Sequence, residues 1–135
     1  PVHVASLRRY ATLCQNSGDY DAAFGFFQEA LRLQPEDVPS LSGLGYNWQL
    51  AGNGSEAASL YKQALFLDPQ NVQVLGNYAT LLHEIEVDHQ LAEQVYERAV
   101  LLDPENSEFL YNMAVLEHVE LMDWGKATLL YRTAM

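Results

Sequence analysis

Large apolar residues recur along this chain at intervals of three and four, the spacing of one face of an α-helix. LRRYATLC (7–14) opens a series continued by LSGLGYNW (41–48), LGNYATLL (75–82) and LYNMAVLE (110–117). Each stretch begins with a large apolar residue, places another three residues later, and follows it with Ala11, Gly45, Ala79 or Ala114. A second pattern lies between them: FFQEALRLQPED (26–37), LYKQALFLDPQN (60–71), VYERAVLLDPEN (95–106) and the incomplete LLYRTAM (129–135). Its alanines, Ala30, Ala64, Ala99 and Ala134, are 34, 35 and 35 residues apart, and Pro35, Pro69 and Pro104 keep the first two of these spacings.

Each period therefore holds two amphipathic segments of about 12–15 residues, the ordinary length of a globular helix. The link in the first unit is NSGDYD, where Gly18 suits the end of a helix. Proline after Gln34, Asp68 or Asp103 stops the second helix, because it disfavours helical backbone in the residue before it. Counting back from the second-helix alanine, the links read GDYDAA, VDHQLA and MDWGKA, so Asp19, Asp88 and Asp123 coincide, as do Tyr20, His89 and Trp124. Units three and four carry one extra residue in this turn.

This layout resembles the tetratricopeptide repeat, and the likeness recurs four times over nearly the whole chain. The later positions of that pattern fall on Ala23, Phe27, Ala30 and Pro35; on Ala57, Tyr61, Ala64 and Pro69; on Ala92, Tyr96, Ala99 and Pro104; and on Ala127, Tyr131 and Ala134. The resemblance implies an all-α fold, a right-handed superhelical solenoid of antiparallel helix hairpins. Its repeats would be about 4–37, 38–71, 72–106 and an incomplete 107–135, forming a single array, with the chain a fragment of a longer protein. Small residues would let paired helices approach closely, and stacked neighbours would supply the burial that no hairpin achieves alone.

The resemblance also implies a partner-binding groove lined by the first helix of each unit. Of the positions it maps, Arg8, Arg9, Tyr46, Gln49, Gln73, Asn77, Thr80, Glu108, Tyr111 and Asn112 are the candidate contacts. Small residues at Gly43 and Gly76 are expected to leave the groove open. Asn77 and Asn112 hold the same position in successive units, and an amide that donates and accepts suits the backbone of an extended peptide. The alternative is a pair of asparagines that face only water. Arg9 and Gly43 replace Asn in units one and two, so the ladder is incomplete. Chaperone-binding members grip a C-terminal carboxylate with a set of Lys, Asn and Arg. The matching residues here are Arg8, Thr12, Gly43, Gln73 and Asn77, and only Arg8 keeps a suitable charge, so an Hsp70 or Hsp90 tail is not the expected ligand.

Charge narrows the partner further. With 18 acidic and 7 basic residues the chain carries −11, and eleven of the acids fall between Glu84 and Asp123, where Arg98 is the only base. Phosphate backbones would be repelled, which argues against direct nucleic-acid binding. The acidic stretch is either a solvated surface that aids solubility or a platform for a basic partner. No apolar run reaches the ~18 residues of a membrane span, so membrane insertion is not expected. The single Cys14 fits a reducing, cytoplasmic setting.

HEIEVDH (83–89) has the look of a metal site, but its histidines stand six apart. A zinc peptidase helix needs them four apart on one face, and a helix break is expected here between His83 and His89. His89 reads instead as a packing substitute for Tyr20 and Trp124, and Asp88 as a turn or cap residue. Cys14 shares the slot of Trp48 and Leu82, a packing position. GYNWQLAGNG (45–54) follows no strand and so makes no phosphate loop. Phe24, Phe26, Phe27, Tyr61, Tyr96 and Tyr131 suit a helical core.

Nothing in the chain assembles catalytic machinery or a cofactor site. The expected function is a non-enzymatic interaction module or scaffold that holds a peptide or partner protein and self-associates through uncapped repeat ends. Two alternatives stay open: a scaffold in an RNA-processing assembly, because AEQVYERAV also looks like the half-repeats of such proteins, and a regulatory domain of a larger enzyme.

Overall fold

The computed structural model describes residues 2–85, 87–120 and 122–135. The all-α repeat of antiparallel helix hairpins read from the sequence is what the chain adopts. It forms two compact units, Pro1–Pro69 and Gln70–Met135. The first contains α1 (Val2–Asn16), α2 (Tyr20–Leu33), α3 (Val38–Leu50) and α4 (Gly54–Leu67). The second contains α5 (Val72–Glu84), α6 (His89–Leu102), α7 (Ser107–Val115) and α8 (Trp124–Ala134), with a π turn at Leu116–Glu120 prolonging α7. Among the described residues no helix is long and apolar enough to cross a membrane.

Every helix after the first begins on an Asp or Asn side chain. Asp19, Asn53, Asp88 and Asp123 cap the second helices, and Asp37, Asn71 and Asn106 cap the first helices that follow. In each the side-chain oxygen accepts a hydrogen bond from the backbone N–H three residues on, for example Ala22 to Asp19 at 3.1 Å and Lys126 to Asp123 at 3.0 Å. This satisfies a donor that the helix geometry leaves without an internal partner. The second helices close at Gln34, Asp68 and Asp103, whose N–H groups donate to Ala30, Ala64 and Ala99 just before each proline.

The reversal inside each hairpin needs one residue of left-handed backbone. Gly18 (φ 84°) and Gly52 (φ 80°) take that place in the first unit, and Val87 (φ 55°) and Met122 (φ 59°) take it in the second. The hydrogen bond over the bend shows where the extra residue went. Asp19 N–H reaches Cys14 C=O at 2.8 Å and Asn53 N–H reaches Trp48 C=O at 2.9 Å, five residues back in both. Asp88 N–H reaches Leu82 C=O at 2.9 Å and Asp123 N–H reaches Glu117 C=O at 2.7 Å, six residues back. In the fourth hairpin the added residue widens the helix end into the π turn, one of the regular ways a helix absorbs an insertion.

Packing follows the small-residue pattern. Ala11, Ala23 and Ala30 in the first hairpin, and Ala79, Ala92 and Ala99 in the third, are completely buried. Phe27, Tyr61 and Tyr96 are buried to within 1%. In the first unit α2 lies on α3, and the core of Ala11, Ala23, Phe27 and Leu44 is bordered by half-buried Cys14, Phe24, Phe26 and Trp48. Cys14 thus has the packing place its position implies. The Tyr61 ring packs against Gly45, where an added Cβ would come within 2.9 Å of it. In the second unit α6 contacts α7 and its π turn, and α8 contacts the π turn as well.

The left-handed residues set up a test. A β-branched side chain at φ 55° is strained by about 1–2 kcal/mol, part of which glycine recovers. Val87→Gly is expected to raise stability by about 0.5–1 kcal/mol in urea unfolding, whereas Gly18→Val is expected to lower it by about 1–2 kcal/mol.

Candidate functional site

The first-helix residues named from the sequence divide between the two units. In the first unit, Arg8 turns out to be structural. Its Nη1 donates to both carboxylate oxygens of Asp37, at 2.9 and 3.0 Å, and so ties α1 to the cap of α3. Asp37 is buried, and Ser40 donates to it through backbone N–H and hydroxyl. Burial alone would push its carboxyl up, but the bonds from Ser40 and Arg8 prevail and hold it below the ordinary 3.8. The guanidinium that the sequence singled out as the one remaining clamp charge is therefore occupied inside the fold. Arg9 is exposed, Tyr46 is 38% exposed, and half-buried Gln49 accepts from the Tyr61 hydroxyl at 2.7 Å.

A second polar network in this unit was not visible in the sequence. Buried Asn47 donates to the Tyr20 carbonyl at 2.9 Å and accepts from Gln15 at 3.2 Å, while Gln15 also donates to the Gly43 carbonyl at 3.1 Å. Its members lie 27–32 residues apart, which helical periodicity cannot relate.

In the second unit Gln73, Glu108 and Tyr111 are exposed, and Asn77, Thr80 and Asn112 are half-buried. Thr80 Oγ1 donates to the Gly76 carbonyl at 3.0 Å and lies 3.1 Å from the Tyr96 hydroxyl. Burial pushes the Tyr96 phenol up to about 12 against the opposing bond to Thr80, so the contact is one between two neutral hydroxyls. Asn77 and Asn112 occupy the same register on α5 and α7. Unlike Asn47, neither amide has a protein hydrogen-bond partner among the described residues. Glu108 and Tyr111 line an open cavity of about 600 Å³ with Ser107, Tyr131, Ala134 and Met135. The Tyr111 and Tyr131 rings meet there edge-on, with centroids 5.8 Å apart.

The two groove glycines do something other than expected. A Cβ on Gly43 would stand 2.3 Å from the Phe27 ring, and one on Gly76 would stand 2.3 Å from the Phe109 ring. The space at these positions is filled by aromatic rings from neighbouring helices. They are sockets for packing and do not leave a groove open.

HEIEVDH resolves into a helix junction. α5 ends at Glu84, Asp88 caps α6, and Glu86 lies outside the described residues. The His83 and His89 rings meet perpendicularly at 5.8 Å, and His118 and Trp124 make the corresponding contact in the fourth hairpin at 4.4 Å. His89 thus takes the same packing place as Trp124.

One charged cluster also escaped the sequence reading. Glu117, in the π turn, is 1% exposed, and Lys126 of α8 pairs with it, with Glu93 and with Glu97. The available signal was the last letter of LYNMAVLE, a glutamate where the other three stretches end in Cys14, Trp48 and Leu82.

Comparison with known proteins agrees with this architecture. Tetratricopeptide repeat family profiles match residues 6–39 and 51–107. Cellulose synthase 1 operon protein C of Komagataeibacter xylinus is 31% identical over 104 residues, covering 69% of this chain and 8% of that protein. This chain therefore spans a small part of the curated relative it matches. Among solved structures, PilF of Pseudomonas aeruginosa superposes with a TM-score of 0.91 at 21% identity, over 98% of this chain and 60% of that one. The first tetratricopeptide repeat domain of Spaghetti (RPAP3), bound to the HSP90 peptide SRMEEVD, superposes with a TM-score of 0.81 at 16% identity, over 86% of this chain and 91% of that one.

The Arg8–Asp37 pair is testable apart from any ligand. Arg8→Ala leaves a buried carboxylate without its cation and is expected to cost about 2 kcal/mol, a figure reduced for the partial exposure of Arg8. Because the folded Asp37 carboxyl lies below 3.8, its contribution is complete above that pH and is lost as pH falls through the folded value. Unfolding curves between pH 2 and 6 should show a shallower acid loss in Arg8→Ala than in the parent.

Proposed function

Because the chain belongs to the tetratricopeptide repeat family, we propose that it is a non-enzymatic interaction module that holds an extended segment of a partner protein. The family and its fold support a protein-interaction scaffold. The observation that carries the finer reading is the pair Asn77 and Asn112, two amides at one register on α5 and α7 with no protein hydrogen-bond partner among the described residues. Such amides can each donate to a carbonyl and accept from an N–H of an extended backbone. Gln73, Thr80, Glu108 and Tyr111 complete this face in the second unit; Arg9, Tyr46 and Gln49 belong to the corresponding helices of the first, with repeats taken at 4–37, 38–71, 72–106 and 107–135.

Charge favours a basic partner. Residues 70–135 hold eleven acids against Arg98, Lys126 and Arg132, and Lys126 is already surrounded by glutamates. A carboxylate-terminated acidic tail, like the peptide bound by the Spaghetti domain, fits poorly, since Arg8 is held by Asp37. Screening an immobilised library of basic and acidic peptides should return basic sequences. Asn77→Ala and Asn112→Ala are each expected to weaken the selected peptide about tenfold, the loss of one to two hydrogen bonds, with unchanged melting. Unaltered affinity in the double variant would refute the ladder.

A further inference from the structure

Two joints between successive hairpins can be compared position by position. In the first unit, Phe24 of α2 meets Trp48 at the end of α3, ring centroids 5.2 Å apart and nearly perpendicular. Phe24 follows the buried Ala23 by one residue, and Trp48 follows Gly45 by three. The same steps from Ala92 and Ala114 arrive at Glu93 of α6 and Glu117 of the π turn. The places held by two touching rings in one joint are thus held by two acids in the other.

The acidic joint has too little positive charge. Lys126 Nζ pairs with Glu93, lies 3.0 Å from Glu97 Oε1, and lies 3.0 Å from Glu117 Oε1. One ammonium therefore serves three carboxyls. Glu117 is 1% exposed, and its Oε1 receives no well-directed hydrogen bond although Lys126 is near. Glu93 and Glu117 reach the same ammonium, which brings the two carboxyls together in the joint. Three carboxylates around one cation would leave uncompensated negative charge in a buried place, which a proton on one of them relieves. The more buried carboxyl is the natural holder, because burial penalises its charged form.

We propose that the joint between the third and fourth hairpins is closed with a proton on the buried Glu117 carboxyl, and that loss of this proton at rising pH loosens the π turn and α8. The groups that face the pair are Glu97 from α6, Lys126 from α8 and Asp123 from its cap, with His118 carried on the π turn itself. Burial, joined by Glu93 and partly offset by Lys126, raises the Glu117 carboxyl above the ordinary 4.5. The folded joint therefore binds a proton that the open joint releases. Its stabilisation is complete below about 4.5 and declines as pH rises through the folded value. The Lys126 bond, opposed by burial, holds Glu93 below 4.5, so that carboxyl adds a change of opposite sign only in more acid solution. The three glutamates outweigh burial at Lys126 and keep it charged throughout.

The test follows the side-chain carboxyl carbons of Glu93 and Glu117 by NMR and the amide exchange of α8, from pH 4 to pH 9. Glu117 is expected to titrate above 4.5. Between 4.5 and the pH at which Glu117 titrates, α8 protection factors should fall by up to tenfold per pH unit, the limit for a single linked proton, and level off above it. Glu117→Gln keeps a hydrogen-bond donor toward Glu93 but cannot ionise, so its α8 protection should be flat over the same range. Titration of Glu117 at or below the ordinary glutamate value would overturn the proposal. So would a Glu117→Gln protein with the same slope as the parent. The carbon titration needs no variant, and Glu93→Gln offers a second one, in which the Glu117 titration should move down toward 4.5.

Discussion

An aromatic ring pressed against a residue with little or no side chain is the contact on which the rest of this fold depends. Tyr61 lies on Gly45, Phe27 fills the space beside Gly43, and Phe109 fills that beside Gly76. Each contact brings two helix backbones closer than a larger side chain would permit, and each removes a large apolar area from water. A hairpin alone would leave such rings half in solvent. Stability therefore comes from neighbours and is distributed along the chain.

Around that apolar frame the polar groups fall into two kinds. Some are committed to the fold: Arg8 with Asp37, Asn47 with Tyr20 and Gln15, and the seven Asp or Asn caps. Others, including Asn77, Asn112, Glu108 and Tyr111, stand partly or wholly open to solvent. A buried ion pair or amide is costly to break once one partner is removed, so the first kind is protected by stability itself. The second kind can vary with little structural consequence.

The repeat was legible because its period is written in residues that packing cannot exchange: Ala30, Ala64 and Ala99, and the prolines that end each second helix. The bend was legible at Gly18 and the cap at Asp88, since each solves a local backbone problem. Contacts between hairpins were not. Arg8 and Asp37 are 29 residues apart, and Lys126 and Glu93 are 33 apart. A periodic pattern shows that each position faces inward or outward, but not which distant side chain it meets. Gly43 and Gly76 show the same limit. A missing side chain reads as open space in one dimension, and three dimensions place a ring there. Glu117 was visible as a departure from an apolar slot, yet its meaning depended on Glu93 and Lys126 arriving from two other helices.

The hairpin bends have a consequence for how such a chain can lengthen. In the third and fourth hairpins one more residue enters between the buried stripe of the first helix and the cap of the second. Ala79 and Ala92, or Ala114 and Ala127, stay as deeply buried as their counterparts in the shorter hairpins. The bend acts as an expansion joint, taking up the added length in the turn and the π turn while the stripe of buried alanines keeps its place. A single-codon insertion there is mechanically mild. The same insertion in the middle of α5 would turn every following side chain by about 100° and bring the sockets out of line with their rings.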